Sequence, residues 1–453
     1  MISSQNLIDK ICCALTTGGL TPVQCCSAES ALTILCQPVF SVACCALLPN
    51  ATTYNGRMVY VTDQTKYYYA VCGIWSDDFS STPHAIRCDI WSWGAATSGA
   101  LGDNTTVSKS SPVSVVGGFT DWKSISMGRN TGLGVRTSGT LWAWGCNNVG
   151  QVGDNTTVDK SSPVSVIGGF TDWTGVSTNN EGSHVVALRQ NGTAWAWGCN
   201  NCGQLGDNTT VSKSSPVSVV GGFTDWCQIS AGSCHSLAVR TNGIAWAWGS
   251  GLCGMLGDST TVSKSSPVSV VGGFTDWCQV SGGCRFSLGV RQNGSVWAWG
   301  LGSTGILGDN TTVNKSSPVS VVGGFTDWCQ VSAGNDFSLA VRQNGSAWAW
   351  GGGALGRLGI NATTDRSSPV SVVGGFTDWC QVSGGGQHSL GVRQNGTAWA
   401  WGAGGSGRLG DNTAANKSSP VSVVGGFTTW AQVSAGCLQS MGRTITTIPL
   451  QSI

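Results

Sequence analysis

Residues 227–277 read CQISAGSCHSLAVRTNGIAWAWGSGLCGMLGDSTTVSKSSPVSVVGGFTDW, and this stretch decides the architecture. Residues 227–232 read as a strand, and residues 236–240 alternate as a second. Thr241-Asn242-Gly243 between the second and third strands is a tight turn, because Asn-Gly accepts positive φ. Residues 244–249 form the third strand, with Trp246 and Trp248 two apart and therefore on one face. Residues 265–271 form the fourth. Pro267 at its start suits an edge position, where no amide donor is required. Residues 272–277 turn into the next copy. Four short antiparallel strands make a propeller blade.

The same pattern runs outward in both directions. The second Trp of each Trp-x-Trp-Gly falls at 93, 144, 197, 248, 299, 350 and 401, so the spacings are 51, 53, 51, 51, 51 and 51. A fixed period near 50 residues belongs to solenoids and propellers. The last copy has its first two strands but lacks a Trp-x-Trp strand after Arg443. The first Trp-x-Trp, at 91–93, lacks preceding strands. The N-terminal strand is therefore expected to complete the last blade, which removes open sheet edges. The expected fold is all-β: a seven-bladed propeller over 90–445, with a small α+β region before it. That region divides into a helical anchor segment at 1–48 and a β-rich module at 49–89. Residues 446–453 are a tail.

Twenty-one of the 22 Trp residues belong to the repeat, three per copy, and read as packed core. Net charge is +1 and 10% of residues are charged, which excludes a surface built for nucleic acid. Residues 31–48 are apolar but contain Gln37 and Pro38, and read as buried helix instead of a membrane span. Arg and Asp recur in regular rings and read as paired or turn-capping charges, with Arg136 through Arg443 closing the second strands. Cys227, Cys278, Cys329 and Cys380 share a slot with Lys123, Thr174 and Ala431, and read as small half-buried side chains instead of bridges. Cys199-Asn-Asn-Cys202 has metal spacing without a second pair, so no metal is assigned. Abundant thiols without a framework fit synthesis in a reducing compartment.

His184, His235 and His388 share a slot with Phe286 and Phe337, which marks it as packing. No nucleophile elbow, zinc-protease helix motif or phosphate loop is present in the sequence. No catalytic residue and no cofactor are assigned.

The tracts that vary between copies lie on one face, here called upper. The candidate binding residues between the first and second strands are Arg129, Asn130, Asn179, Asn180, Glu181, His235, Arg285, Phe286, Asp336, Phe337, Gln387, His388 and Gln439. Those after Trp-x-Trp-Gly are Asn147, Asn148, Asn200, Asn201, Leu252, Leu301 and Leu355. Loop variety on a rigid frame is how binding surfaces are built. The lower face is nearly constant.

The run of Gly-x-Leu-Gly, Ser-Pro-Val, Val-Ser-Ala-Gly, His-Ser-Leu-Ala-Val and Trp-x-Trp-Gly resembles the regulator of chromosome condensation repeat family over about 90–443. That resemblance implies a seven-bladed propeller. The name-giving member is a nucleotide exchange factor for a small nuclear GTPase and binds nucleosomes through a β-wedge insertion and a basic tail. This sequence has neither; its length change is two residues at 179–182. A second resemblance concerns residues 55–75, which are similar to short modules of phage tail-fibre and virion-attached proteins. The expectation is a non-enzymatic virion protein, made in the host cytoplasm. It would be anchored to other virion proteins through 1–90, be assembled as a homo-oligomer, and display the ring to a host-surface protein or glycan. The alternative is an intracellular protein-binding adaptor or exchange-factor-like propeller.

Overall fold

The computed structural model describes residues 58–61, 66–71, 74–76, 84–181 and 183–449. The helices expected over 1–48 lie outside the described residues. Met58–Val61, Lys66–Val71 and Ile74–Ser76 pair as an antiparallel three-stranded meander.

From His84 onward the chain forms seven four-stranded antiparallel sheets. Blade 3 is representative: Trp226–Ala231, His235–Arg240, Ala245–Gly249 and Lys264–Ser269 pair in chain order. Numbered by first strand, blade 1 starts at Trp122, blade 2 at Trp173, blade 4 at Trp277, blade 5 at Trp328, blade 6 at Trp379 and blade 7 at Trp430. The turn between the second and third strands needs its glycine. Gly243 has φ +74°, and a Cβ there would lie 2.1 Å from the Thr275 carbonyl oxygen.

Blade 7 is closed as expected. Its order is Trp430–Ala435, Gln439–Pro449, His84–Gly94 and Lys109–Ser114. Pairing runs from Gln439 opposite Gly94 to Pro449 opposite His84, beyond the expected 90–445.

The core lies between blades. Leu237, Val239, Ala247 and Val270 of blade 3 pack against Trp277, Val280 and Trp299 of blade 4, and the same cluster recurs around the ring. The second Trp of each pair is fully buried. Trp248 Nε1 also donates 2.9 Å to the Gln204 carbonyl of the preceding blade, and all the corresponding indoles except Trp401 join two blades in this way.

The shared cysteine slot has a structural explanation. Trp226 lies opposite Arg240 while Gln228 lies opposite Val239, so Cys227 is the extra residue of a β-bulge. Its Sγ donates to the Val239 carbonyl at 3.3 Å, and Thr174 Oγ1 does the same to Leu188 at 3.0 Å. Cys278 and Cys329 repeat the bond at 3.3 Å. Cys380 departs from the expectation for this slot, being disulfide-bonded.

The charge rings are pairs. Arg240 Nε meets Asp225 Oδ1 at 2.8 Å with its guanidinium 4.2 Å above Phe223, and blades 1–6 repeat this arrangement. Arg443 is a correction to the expected ring. In blade 7 the arginine comes one position early, the strand reading Ser-Met-Gly-Arg-Thr where blade 6 has Ser-Leu-Gly-Val-Arg. Thr444 therefore stands opposite Trp430, and Arg443 takes the buried valine position.

Candidate protein-recognition face and channel plug

The first strand of each blade lines the axis, and two side chains on it bind the next blade. Seven serines form a complete ring. Ser230 Oγ accepts the Gly282 N–H at 3.0 Å, and Ser126, Ser177, Ser281, Ser332, Ser383 and Ser434 each accept from the following blade in the same way. A second ring is made by glutamine. Gln330 Nε2 donates to the Val382 carbonyl at 2.9 Å while its Oε1 accepts the Val382 N–H at 2.8 Å. Gln228, Gln279, Gln381 and Gln432 clamp their neighbours likewise. In this slot blade 1 carries Ser124 and blade 2 carries Gly175. Both seams of blade 2 therefore lack a glutamine clamp.

Blade 2 is tied down differently. Its two-residue insertion crosses the upper mouth of the axis. Asn179 Nδ2 donates to Gly282 of blade 4 at 3.0 Å, and Asn180 Nδ2 to Gly384 of blade 6 at 3.3 Å. Glu181 Oε1 accepts from Asn335 Nδ2 of blade 5 at 2.8 Å and from Cys437 Sγ of blade 7 at 3.4 Å. Burial, and then the Glu181 carboxylate, push the Cys437 thiol up to about 11. Beneath the plug lies a polar cavity of about 150 Å³ walled by the serine ring. A groove of about 400 Å³ lies at the rim between blades 4 and 5, lined by Asn310, Phe325, Trp348 and Pro369 among others. Neither is lined by an acid, a base or a thiol.

The structure divides the candidate face. Arg129, Asn148, Asn201, Leu252, Arg285, Leu355 and Gln387 are exposed on the upper side, and Asn130, Glu181, Leu301 and Asp336 are half-buried. Asn147, Asn179, Asn180, Asn200, His235, Phe286, Phe337, His388 and Gln439 are buried, and their variation reflects packing and turn support instead of display. Asn147 shows how: its Nδ2 donates to Asp154 at 3.1 Å and its Oδ1 accepts the Val152 N–H at 2.9 Å, which shapes the turn that presents Asn148. The histidine slot faces the next blade. His184, His235 and His388 place Nε2 2.8–2.9 Å from Ser236, Ser287 and Ser440. Burial lowers them from 6.5 to about 4, 3 and 3. They are neutral packing groups, as the shared Phe implied.

Leu252 is 63% exposed and Leu355 37%, and Leu355 has φ +61°. Ser98, Cys253, Thr304 and Ser406 are left-handed in the same slot, so this conformation belongs to the repeated turn that presents Leu355. The sequence reading missed the glutamine ring and the plug partners Asn335 and Cys437. Its signal was present: Gln recurs at 228, 279, 330, 381 and 432.

Two overlapping stretches, 82–389 and 180–446, match the family described as RCC1-like domain. The chain belongs to the RCC1-like domain family. Among curated relatives it is 26% identical to the ultraviolet-B receptor UVR8 of Arabidopsis thaliana, over 73% of this chain and 76% of that one. It is 29% identical to the human E3 ubiquitin-protein ligase HERC2, over 75% of this chain but 7% of HERC2. Solved structures confirm the fold. Prp20p of Saccharomyces cerevisiae superimposes with a TM-score of 0.71 at 20% identity, covering 81% of this chain and 92% of that one. Human WBSCR16 does so at 0.70 and 20% identity, covering 80% and 99%. Among the described residues no helix is long and apolar enough to cross a membrane.

Proposed function

We propose that this chain is a non-enzymatic protein-recognition propeller, an adaptor whose upper face binds a partner protein. One observation carries the reading. Arg129, Asn148, Asn201, Leu252, Arg285, Leu355 and Gln387 are exposed on a single face and differ from blade to blade. A hydrogen-bonded ring holds them in fixed positions, while the opposite face repeats. Partner choice is expected to rest on Leu252 and Leu355 as apolar anchors, with Arg129 and Arg285 setting orientation. Similar proteins are consistent with protein binding: Prp20p has binding properties toward Gsp1p and histones, and it is also bound by Kap60. Cavities lined by no titratable group fit recognition better than catalysis.

The test is affinity capture by full-length protein compared with the Arg129→Ala/Leu252→Ala/Arg285→Ala variant. Partners bound by the first and lost by the second, with unfolding unchanged, support the reading. Equal capture by both overturns the assignment of the face. A nucleotide-release assay on small GTPases separates adaptor from exchange factor, since acceleration would move the function to the latter. Display on a virus particle through residues 1–90 is the second reading, favoured by the meander at 58–76. Antibody labelling of purified particles with serum against 91–453 tests it.

A further inference from the structure

The seam between blades 2 and 3 shares the missing glutamine clamp with the seam between blades 1 and 2, and differs from all the others at its upper end. Gly175 removes its glutamine clamp, and three free, half-buried thiols gather on its upper side: Cys199 and Cys202 from blade 2, Cys234 from blade 3. The two turns that carry them are pressed together. The Gln204 carbonyl, two residues after Cys202, accepts Ser236 Oγ at 2.8 Å and Trp248 Nε1 at 2.9 Å, both from blade 3. Ser236 follows Cys234 by two residues. A Cβ on Gly249 would meet the Cys234 carbonyl oxygen at 2.5 Å and Gln204 Cα at 3.2 Å, so both turns touch one glycine. Cys202 and Cys199 are near enough to act on the Cys234 thiol: burial first, and then these neighbours, push it up from its ordinary value.

The slots around the ring show that the pairing is specific to this seam. The residue equivalent to Cys202 and its cross-seam neighbour are Ser98 and Asn130, Val149 and Ser183, Cys253 and Arg285, Thr304 and Asp336, Leu355 and Gln387, or Ser406 and Leu438 elsewhere. Only this seam places a cysteine on both sides.

We propose that Cys202 and Cys234 are a reversible disulfide site that staples blade 2 to blade 3. The oxidant class is a small-molecule disulfide. The Cys202 thiolate attacks one sulfur of the reagent; the reagent S–S bond breaks, one reagent thiolate leaves and takes a proton from water. Cys234 gives its proton to solvent and attacks Cys202 Sγ, and the second reagent thiol leaves. Two protein thiols are oxidised to one disulfide and one reagent disulfide is reduced to two thiols. Cys202 leads because burial of Cys234 keeps it protonated, which suits a resolving role. The bridge fixes the turn that presents Asn201 on the recognition face.

Full-length protein is incubated with oxidised glutathione, blocked with an alkylating agent and digested with trypsin without reduction. Cleavage after Arg189, Lys213 and Arg240 puts Cys199 and Cys202 in one peptide and Cys227 and Cys234 in another. The expected product is a cross-link that fragment ions assign to Cys202 and Cys234, reversed by dithiothreitol and reduced at least tenfold in Cys202→Ser. In the wild-type protein, amide exchange over 229–232 slows severalfold on oxidation, a readout that needs no variant. A Cys199–Cys202 bridge alone, or glutathione adducts without the cross-link, overturns the proposal.

Discussion

Glu181 of blade 2 accepts a hydrogen bond from Asn335 of blade 5 at 2.8 Å, across the mouth of the axis. The blade that lacks glutamine clamps on both sides thus reaches over the channel to hold the far side of the ring. Glu181→Ala is expected to destabilise the ring by about 1–3 kcal/mol, because it strands the Asn335 donor. Urea unfolding checks this. Glu181→Gln should also let the Cys437 thiol ionise more readily, so its alkylation at pH 9 rises severalfold.

Filling the vacant clamp should stabilise. A Cβ at Gly175 meets nothing within 4 Å, and its φ is not in the left-handed range. Gly175→Gln is expected to gain about 1 kcal/mol, from bonds to Ile229 and a less flexible unfolded chain. The converse change, Gln330→Ala, should lose about 1–3 kcal/mol by freeing the Val382 amide and carbonyl. Denaturant midpoints at equal slope separate the two.

Acid should weaken the ring through the histidines. His184, His235 and His388 have folded values near 4, 3 and 3, below the ordinary 6.5. The unfolded chain therefore binds more protons between those limits. Stability is full above about pH 6.5 and falls as pH drops toward 3–4, by about 2 kcal/mol for each histidine at pH 5. His235→Phe, which copies Phe286 and Phe337, should reduce that slope. Unfolding measured at pH 5 and pH 7.5 decides it.

The bulge cap is expected to accept a hydroxyl. Cys278→Thr keeps the donor to the Val290 carbonyl, as Thr174 does to Leu188. Cys278→Ala loses it, at a cost of about 0.5–1.5 kcal/mol. Equal melting temperatures for the two would show that the thiol bond contributes nothing.

Much of this was legible in the sequence. The Trp-x-Trp period gave the blade number, and the unmatched strands at 91–93 and before Arg443 pointed to where the ring closes. The shared His and Phe slot showed packing correctly. Exposure was harder to read. Asn147 and Asn148 are neighbours of equal polarity, yet one is buried under its own turn and the other is displayed. Glu181 was visible as a candidate within the two-residue length change at 179–182. Its partners Asn335 and Cys437 lie 154 and 256 residues away, and only closure of the ring brings them within reach.

The closing strands enter and leave at one end, with His84 opposite Pro449. Tension between whatever precedes residue 84 and whatever follows residue 449 would load that ladder rung by rung, like a zip, and not all rungs at once as in shear. The ring is therefore mechanically weakest at its own clasp, and a pull of that kind would unfasten blade 7 while the other six sheets stayed whole.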